Sequence, residues 1–477
     1  MANTTSSPAK HPKGLYTCGL TFTFERFAYY GSKTLLLLFL AEMVAKGGLG
    51  IDYADATAIA ANLAAFTYLA PIFGGMICDR WIGARYCVII GSVIMAAGYA
   101  LGYFATSVIW VHAMIILISI GTGFFKGNLN ALVGELYDDN TRKDAAFSIL
   151  YTFVNLGSFI GSLTIGILYT KTFAVIDNGH LVEYGFRQCF MLAAIVMLLG
   201  GLLFTCTMKY LGEAGKYPQK MLDKQVGKTN SGKAGKTGDR PLTKREKDRV
   251  KVIFILSFFS IFFWVFYNQA GSSLTLYMKD YVNMYVGSFE IPVMWIETAL
   301  NGFLCVALGP VMAAIWTKLS KREKGDLSMA QKIALGYAFL AVAFGFVIAA
   351  EFVRGVGSPA TVKASVLWLV FFVIFQTIGE MCFSPLGNSL VSKIAPAKYL
   401  SLLMGVWACA TFFANKAAGY VQMIIDKMGL MQTFIAIPVI LIVGVFIILT
   451  FNKKLTNMIG DDESSDEVDE SSDGVIA

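Results

Sequence analysis

The sequence predicts an all-α integral membrane protein with twelve transmembrane helices in two six-helix bundles. Of its 477 residues, 56% are hydrophobic and 15% are charged, and the mean hydropathy is +0.61. A soluble chain of this length needs more polar residues to cover its surface, so the surplus apolar surface must face lipid. The long unbroken apolar runs favour spanning helices, which take about 20 residues each, over the short alternating strands of a barrel.

Twelve apolar segments follow one another along the chain, six on each side of a polar linker. They lie near 16–44, 54–78, 86–106, 108–133, 145–170, 187–209, 250–280, 291–317, 329–352, 364–392, 399–424 and 430–452. The predicted domains are a cytoplasmic N-terminus (1–14), a first bundle (15–210), a basic linker (211–249), a second bundle (250–453) and an acidic, disordered tail (454–477). Because the linker has no spanning run, no extra helix pair is expected between the halves.

The distribution of basic residues indicates the orientation. With both termini placed in the cytoplasm, most of the 39 Lys and Arg residues fall on the cytoplasmic side. We therefore expect a multi-pass protein of the plasma (inner) membrane with both termini cytoplasmic. The linker is expected to be a flexible connector or a lipid-surface contact, and the acidic tail is a candidate to bind it.

Several function classes find no support in the sequence. The eight cysteines lie singly without a CxxC pair, and the three histidines form no HExxH motif, which argues against a disulfide frame and a metal site. No glycine-rich phosphate loop is present, so a nucleotide-driven pump is not expected. We expect neither enzyme activity, nor a cofactor, nor a nucleic-acid partner.

The first predicted helix carries charges that a lipid-facing helix would avoid. Arg26, Tyr30 and Lys33 share one helical face, and Glu25 with Tyr29 occupies the adjoining strip. Each ionisable residue inside a membrane costs at least ~2–3 kcal/mol on insertion scales, so such clusters usually mark a polar pathway. The alternative is an internal salt bridge that only locks helices together. For the cluster as a whole we favour a water-filled cavity.

Two more ionisable residues lie inside predicted helices. Lys126, in a glycine-rich stretch of the fourth helix, is expected to pair with an acid from another helix, for which Glu25 is the candidate. Glu380 in the tenth helix is followed by Pro385, which frees backbone carbonyls as transporter sites do. Burial would favour its protonated form and suit it to carry a proton; the alternative is a structural pair with a nearby cation.

A motif of a different kind follows the second helix. The segment 75–85 (GMICDRWIGAR) resembles the cytoplasmic loop motif of major facilitator superfamily transporters. Asp79, Arg80 and Arg85 are expected to clamp helix ends in one conformational state, which makes them gating residues. Pro310 and the segment 316–318 resemble a weaker second copy, as two repeated halves would predict.

Together these motifs resemble the proton-coupled oligopeptide transporter (POT/PTR) family of the major facilitator superfamily. The matching segments are 25–31 (ERFAYYG), the Asp79 loop, 124–128 (FFKGN), 147–159 (FSILYTFVNLGSF), 269–273 (QAGSS), Asn301 and 379–387 (GEMCFSPLG). They span helices one to eleven in the family's order. The resemblance implies a secondary-active importer of di- and tripeptides, coupled to protons and working by alternating access as a monomer.

The resemblance also implies a central pocket with assigned roles. Arg26 and Lys126 would lie near the peptide carboxylate and Glu380 near its amino group, while Glu25 and Glu380 would carry protons. The residues expected to bind substrate are Arg26, Tyr29, Tyr30, Lys33, Tyr68, Lys126, Asn155, Trp264, Asn268, Asn301, Glu380, Ser384 and Trp407. Taken alone, several of these aromatic residues would be ordinary core or lipid-facing side chains.

The sequence departs from the family pattern in its charges. Phe22 replaces the first acid of the ExxER motif, Asn268 replaces an acid of the seventh helix, and Lys33 stands where an arginine is usual. The eleventh helix adds Lys416, which is not recognised as a family feature. Glu297 is either a third acid inside the helices or a solvated residue near a helix start. The interior is therefore expected to be more positive than in other members.

Two consequences follow from this charge count. Proton coupling should be weakened or rerouted through Glu25 and Glu380, and acidic peptides should be tolerated better than cationic ones. Two alternatives to peptide import stay open at this point. The chain is a facilitator or symporter of another anionic or zwitterionic small solute, or it is a scaffold or sensor that retains a transporter fold.

Overall fold

The computed structural model describes residues 11–137, 139–178, 180–218, 242–322, 327–384, 391, 394–396 and 399–459. Within these residues the chain is helical almost throughout, with only three two-stranded ribbons in the connections. Parts of four predicted features lie outside the described residues: the N-terminus (1–10), the middle of the linker (219–241), the segment after Glu380 that contains Pro385, and the end of the tail (460–477).

The first half contains six long helices. They are α1 (Lys13–Ala41), α2 (Tyr53–Ile77), α3 (Ala84–Phe104), α4 (Val108–Glu135), α5 (Asn140–Ile167) and α6 (Phe186–Thr207). A π turn, Cys78–Ile82, extends α2, and another, Leu168–Thr172, extends α5. A short antiparallel ribbon pairs Val175–Asp177 with His180–Glu183 before α6.

The second half repeats this arrangement with more interruptions. Its long helices are α7 (Lys244–Tyr267), α8 (Leu300–Ser320), α9 (Met329–Arg354), α10 (Val366–Phe383), α11 (Leu400–Ala418) and α12 (Leu430–Thr450). The shorter pieces are the 3-10 turn Asn268–Gly271 and helix Ser273–Tyr281 after α7, the π turn Trp295–Ala299 before α8, and the helices Val421–Met428 and Asn452–Ile459. Strand Val282–Asn283 pairs with Ala364–Ser365, and Tyr285–Val286 pairs with Phe289–Glu290.

The twelve long helices confirm the predicted fold class. Among the described residues, ten of these spans are long and apolar enough to cross a membrane by length and hydropathy alone. Helix α1 is not among them, because Glu25, Arg26 and Lys33 lower its hydropathy, and most of its residues are buried. Polarity in this helix therefore marks an inner position.

Each half has its own apolar core. The first is built mainly from α1 to α6, with Leu276 and Met294 of the second half packed into it, and the second is built from the second half. Glycines set the spacing inside the first half: a Cβ on Gly161 of α5 would come 2.5 Å from the Phe27 carbonyl oxygen of α1. A Cβ on Gly74 of α2 would likewise collide with the Gly123 carbonyl oxygen of α4. This small-residue packing brings α1, α2, α4 and α5 close enough to share one polar cavity.

The two halves are joined at the end of the molecule opposite the termini, which we call the distal end. This is the end where α1 stops and α2 begins. Several polar contacts between described residues cross between the halves there. Tyr53 Oη donates to Asp280 Oδ2 (2.9 Å), and Lys279 Nζ pairs with Glu42 Oε2 (2.9 Å). Thr57 Oγ1 donates to the Gly419 oxygen (2.9 Å), and Trp295 Nε1 donates to the Leu163 oxygen (3.0 Å). The structure is therefore closed at the distal end.

The linker and the tail are more ordered at their edges than the sequence predicts. Thr243 forms a capping box with Glu246, so α7 begins at Lys244, inside the expected linker. The tail was expected to be disordered from 454, but Asn452–Ile459 is a helix, and Leu455 is 5% exposed. Its apolar residues recur at the i, i+3, i+4 spacing of an amphipathic helix, which lets it pack on α7.

Candidate functional site

A cavity of about 250 Å³ lies between the two halves, on the terminal side of the distal contacts. Its wall is polar and aromatic, and side chains from both halves contribute to it. Residues of α1, α2, α4 and α5 that line it are Arg26, Tyr29, Tyr30, Lys33, Thr67, Tyr68, Lys126, Tyr151, Asn155 and Ser158. From the second half come Trp264, Tyr267, Asn268, Glu297, Thr298, Asn301, Gln376, Glu380, Ser384, Thr411 and Asn415.

The cavity brings together all the residues that we expected to bind substrate except one. Trp407 is not among the lining residues; it packs against the apolar core of the second half. Thr411, one helical turn further along α11, reaches the cavity instead and donates to the Trp407 carbonyl oxygen (3.2 Å). Because residues four apart lie on one helix face, the cavity meets the same face of α11 as predicted, but one helical turn further along the helix.

The first cationic group on the wall is neutralised within its own helix. Arg26 donates through Nε and Nη2 to both oxygens of Glu25, and the two residues are 5% and 0% exposed. The guanidinium also lies over the rings of Tyr29 (4.8 Å) and Tyr30 (5.5 Å). Glu25 itself does not line the cavity. Because the two buried charges are opposite and hydrogen-bonded to each other, this part of the cavity wall has almost no net charge. We call it the Arg26 corner.

The expected pair between Lys126 and Glu25 is wrong. Glu25 is held by Arg26, because a guanidinium matches both oxygens of a carboxylate where an ammonium offers a single point charge. Lys126 Nζ lies over the Tyr68 ring, 4.5 Å from its centre, and forms no ion pair with any residue that the structure describes. Lys126 therefore gives the cavity a positive wall that a ligand can neutralise.

The opposite wall carries a carboxylate. Glu380 Oε2 accepts from Tyr267 Oη (2.6 Å) and from Asn301 Nδ2 (3.0 Å), and Cys305 Sγ lies 3.9 Å away. All these donors are neutral, so the alternative of a structural ion pair finds no support in the described part of the chain. A cationic group that enters the cavity would meet an acid without a competing cation.

The distal part of the cavity holds a second acid, Glu297. The sequence leaves open whether this residue is an interior acid or a solvated one. In the structure it is 7% exposed and accepts from Thr34 Oγ1 (2.5 Å) and from Thr298. A Cβ built on Gly271 would lie 2.6 Å from Glu297 Oε1 and 3.4 Å from Lys33 Nζ. The two charged atoms therefore approach the same point from opposite halves of the molecule.

The architecture and the charged cavity between two halves can now be compared with known proteins. A family model, the Major Facilitator Superfamily, matches residues 23–415. The peptide transporter YePEPT of Yersinia enterocolitica is 28% identical over 92% of this chain and 94% of its own. A crystal structure of a peptide transporter POT with sulfate superimposes with a TM-score of 0.82 at 27% identity, covering 95% of this chain and 97% of that one.

The chain belongs to the POT family of the Major Facilitator Superfamily. It is also similar to the uncharacterized transporter YclF of Bacillus subtilis (strain 168), at 30% identity over 92% of this chain and 94% of the relative. A POT family transporter crystallised with 5-aminolevulinic acid gives a TM-score of 0.81 at 25% identity, covering 94% of this chain and 98% of that one. The predicted family is thus confirmed, and the protein is a multi-pass membrane transporter.

The loop motif of this POT family member anchors the linker. Asp79 and Arg80 lie exposed on the π turn Cys78–Ile82. Arg85, 7% exposed, donates to the carbonyl oxygens of Gly212 and Ala214, and Gly215 N donates to Glu135 Oε2 (2.7 Å). Arg85 therefore ties the start of α3 to the first residues after α6, within one half. A gating role for the three motif residues stays a prediction.

Sequence reasoning missed several lining residues of this transporter. Tyr267 and Gln376 lie on helices that also carry predicted residues, and Gln376 is four residues before Glu380 on the same face of α10. Glu297 precedes Asn301 by four residues, and this spacing in the sequence indicates that the two side chains lie on the same side of the helix. Asn415 on α11 adjoins Lys416, which donates to Asn62 Oδ1 of the other half instead of entering the cavity.

Proposed function

We propose that this POT family member is a secondary-active importer of di- and tripeptides. The observation that carries the proposal is the placement of Lys126 on one wall of the cavity and Glu380 on the other. A zwitterionic peptide fits this arrangement, because its carboxylate faces Lys126 and the Arg26 corner while its amino group faces Glu380. The relatives named as peptide transporters support the same substrate class.

The size of the cavity supports a small substrate. Sites for drug-sized ligands measure about 300–1,000 Å³, and this cavity of about 250 Å³ lies just below that range. Tyr29, Tyr30, Tyr68, Tyr151 and Trp264 supply flat surfaces for side chains of different shape. Aromatic walls with few fixed polar groups tolerate variation in the side chain while the charged walls hold the invariant ends of a peptide.

The proposal includes a membrane setting and a transport cycle. The protein works as a monomer in the plasma membrane with both termini cytoplasmic, so the distal end faces outside and the closed distal contacts correspond to an inward-facing state. No cofactor takes part, and the proton is the coupling ion. Glu380 carries it, because its neutral partners, the Tyr267 hydroxyl and the Asn301 amide, tolerate either charge state.

Uptake of a labelled dipeptide into liposomes tests this function. With an inward proton gradient, the wild-type protein should accumulate the peptide, and Glu380→Gln should lose accumulation by about tenfold or more because the carboxylate that meets the amino group and the proton is gone. Asp177→Asn is the matched control, since Asp177 is an exposed acid on the distal ribbon. Full gradient-driven accumulation by Glu380→Gln would contradict the proposed proton route.

A second candidate is another small zwitterion. The observation that favours it is the similarity to a POT family transporter crystallised with 5-aminolevulinic acid, which has the same two charged ends as a short peptide. Binding of 5-aminolevulinic acid measured beside a panel of dipeptides separates the two candidates. If dipeptides fail to bind and 5-aminolevulinic acid binds, the second candidate replaces the first. If nothing binds, the third option, a scaffold or sensor with a transporter fold, takes their place.

A further inference from the structure

The break after α7 lacks the acid that the family resemblance leads one to expect. Asn268 stands at that position, and its Nδ2 donates to the Trp264 carbonyl oxygen (2.8 Å), so its side chain closes its own helix end. Asn268 and Lys33 line the same polar cavity. An amide cannot neutralise Lys33, so the charge of this lysine must be balanced from another element.

Glu297 brings a negative charge to this part of the cavity, and it comes from the π turn before α8. Both Glu297 Oε1 and Lys33 Nζ lie within contact distance of the point where Gly271 would carry a Cβ (2.6 and 3.4 Å). Because Gly271 has no side chain, the turn after α7 leaves this space open to the two charged groups. Any larger residue would fill the gap between the ammonium and the carboxylate.

A hydrogen bond beside Lys33 joins Glu297 to the other half of the molecule. Lys33 and Thr34 belong to α1, whereas Glu297 belongs to the second half, and Thr34 Oγ1 donates to Glu297 Oε2 (2.5 Å). The ion pair between Lys279 and Glu42 also joins the halves, but it lies further out and outside the main cavity. Glu297 and Lys33 line the cavity itself, so a bound solute or a proton can reach them.

We propose that Glu297 acts together with Lys33 in closing the distal end, at a place where the turn after α7 carries Asn268 and no acid. The attraction between the two holds α1 against the start of α8 while the distal end is closed. Loss of the negative charge, by protonation or by a competing cationic group of the substrate, releases Lys33 and favours opening. Glu297 is a positioning residue in this scheme, and the scheme rests on the proposed transport function.

The test reports opening directly, without reference to the substrate. Thr57 is 1% exposed and donates to the Gly419 oxygen across the distal contact, so a thiol placed there reacts only when the distal end opens. The Thr57→Cys protein, in lipid nanodiscs, is treated with a maleimide, and the rate of its labelling is read by peptide mass spectrometry. Native Cys18, 0% exposed in the first core, reports unfolding in the same sample.

Three further substitutions in the Thr57→Cys protein test the pair itself. Glu297→Gln and Lys33→Gln should each speed labelling of the introduced thiol by about fivefold or more, with Cys18 unchanged, and the double substitution should be no faster than either alone. Adding Asn268→Glu to Glu297→Gln should slow labelling again, since an acid is then returned to the α7 break beside Lys33.

The matched control is Glu351→Gln in the same Thr57→Cys protein. Glu351 is a buried acid like Glu297, but it pairs with Arg354 inside a single helix (2.6 Å). Its loss removes a buried charge without touching a contact between the halves. Labelling of the introduced thiol should therefore stay at the rate of the parent protein.

Several outcomes would overturn the inference. They are unchanged labelling in Glu297→Gln, equal acceleration in Glu351→Gln, additive effects of the Lys33 and Glu297 substitutions, or failure of Asn268→Glu to restore protection. Accelerated labelling of Cys18 together with the distal site would show a structural role only. Dipeptide binding is measured on the same samples, so a failure of the peptide assignment leaves the labelling result readable by itself.

Discussion

Whether a charged side chain of the site can bind substrate depends on whether another residue of the protein already pairs with its charge. Arg26 is paired with Glu25, whereas Lys126 lies over the Tyr68 ring and forms no ion pair with the described residues. A cation above an aromatic ring gains about 0.5–2 kcal/mol and keeps its charge available to a ligand. Lys126 is therefore the residue from which we expect the largest contribution to binding of the substrate's carboxylate.

Lys126→Gln tests that expectation. A charge-assisted hydrogen bond contributes about 1.5–3 kcal/mol, so the variant should bind a dipeptide about 10- to 100-fold more weakly. A dipeptide with an amidated C-terminus lacks the carboxylate, and its affinity should change little. Binding is measured by isothermal titration for both ligands. Lys171→Gln is the control, because Lys171 also lies over an aromatic ring, that of Phe289 (3.8 Å), but outside the cavity.

The two ligands make the Lys126 prediction easy to contradict. If both lose affinity equally, Lys126 shapes the cavity without meeting the carboxylate. If neither loses affinity, the carboxylate binds elsewhere in the cavity, and the Arg26 corner is then the place to look.

Glycines at the contacts between helices determine how closely the helices that carry the charged residues of the cavity can approach each other. Gly161 of α5 lies against the backbone of α1 at Phe27, directly after Arg26 in the chain. Backbone atoms cannot move aside as a flexible side chain can. Any Cβ at Gly161 must therefore push α1 and α5 apart, which also displaces the tyrosines that flank Arg26.

Gly161→Ala should accordingly destabilise the protein. Overpacking at a close helix contact costs about 1–3 kcal/mol, and we expect a lower Tm and weaker peptide binding together. Gly345→Ala is the matched control, since Gly345 also lies inside a long helix but a Cβ there would meet nothing within 4 Å. That variant should keep its Tm or gain slightly, because alanine favours a helix over glycine by about 1 kcal/mol. Equal Tm values for the two variants would contradict the packing argument.

Across the whole protein, the interior carries a small positive surplus. Among the described residues beside the cavity, the cations are Arg26, Lys33, Lys126 and Lys416, and the acids are Glu25, Glu297 and Glu380. Placing Glu297 inside reduces the surplus that the sequence alone predicted. The surplus is therefore one charge, and its effect on substrate choice should be modest.

Competition between peptides tests this charge balance. An Asp-containing dipeptide should inhibit uptake of a labelled dipeptide about threefold better than a Lys-containing one, because one surplus charge in a hydrated cavity is worth under about 1 kcal/mol. Dialanine is the neutral reference. Stronger inhibition by the Lys-containing peptide would contradict the charge count and would point to Glu380 and Glu297 as the dominant charges.

The fold class and most of the cavity wall could be predicted from the amino-acid sequence. Apolar runs of spanning length define the twelve helices, and polar residues inside such runs stand out because lipid penalises them. The charge partners became visible only in the packed molecule. Glu25 pairs with Arg26 and not Lys126, Glu297 turns inward to bond Thr34, and Trp407 is not among the lining residues of the cavity. Periodicity predicts the face of a helix, but depth and partner depend on how helices of two halves are packed against each other.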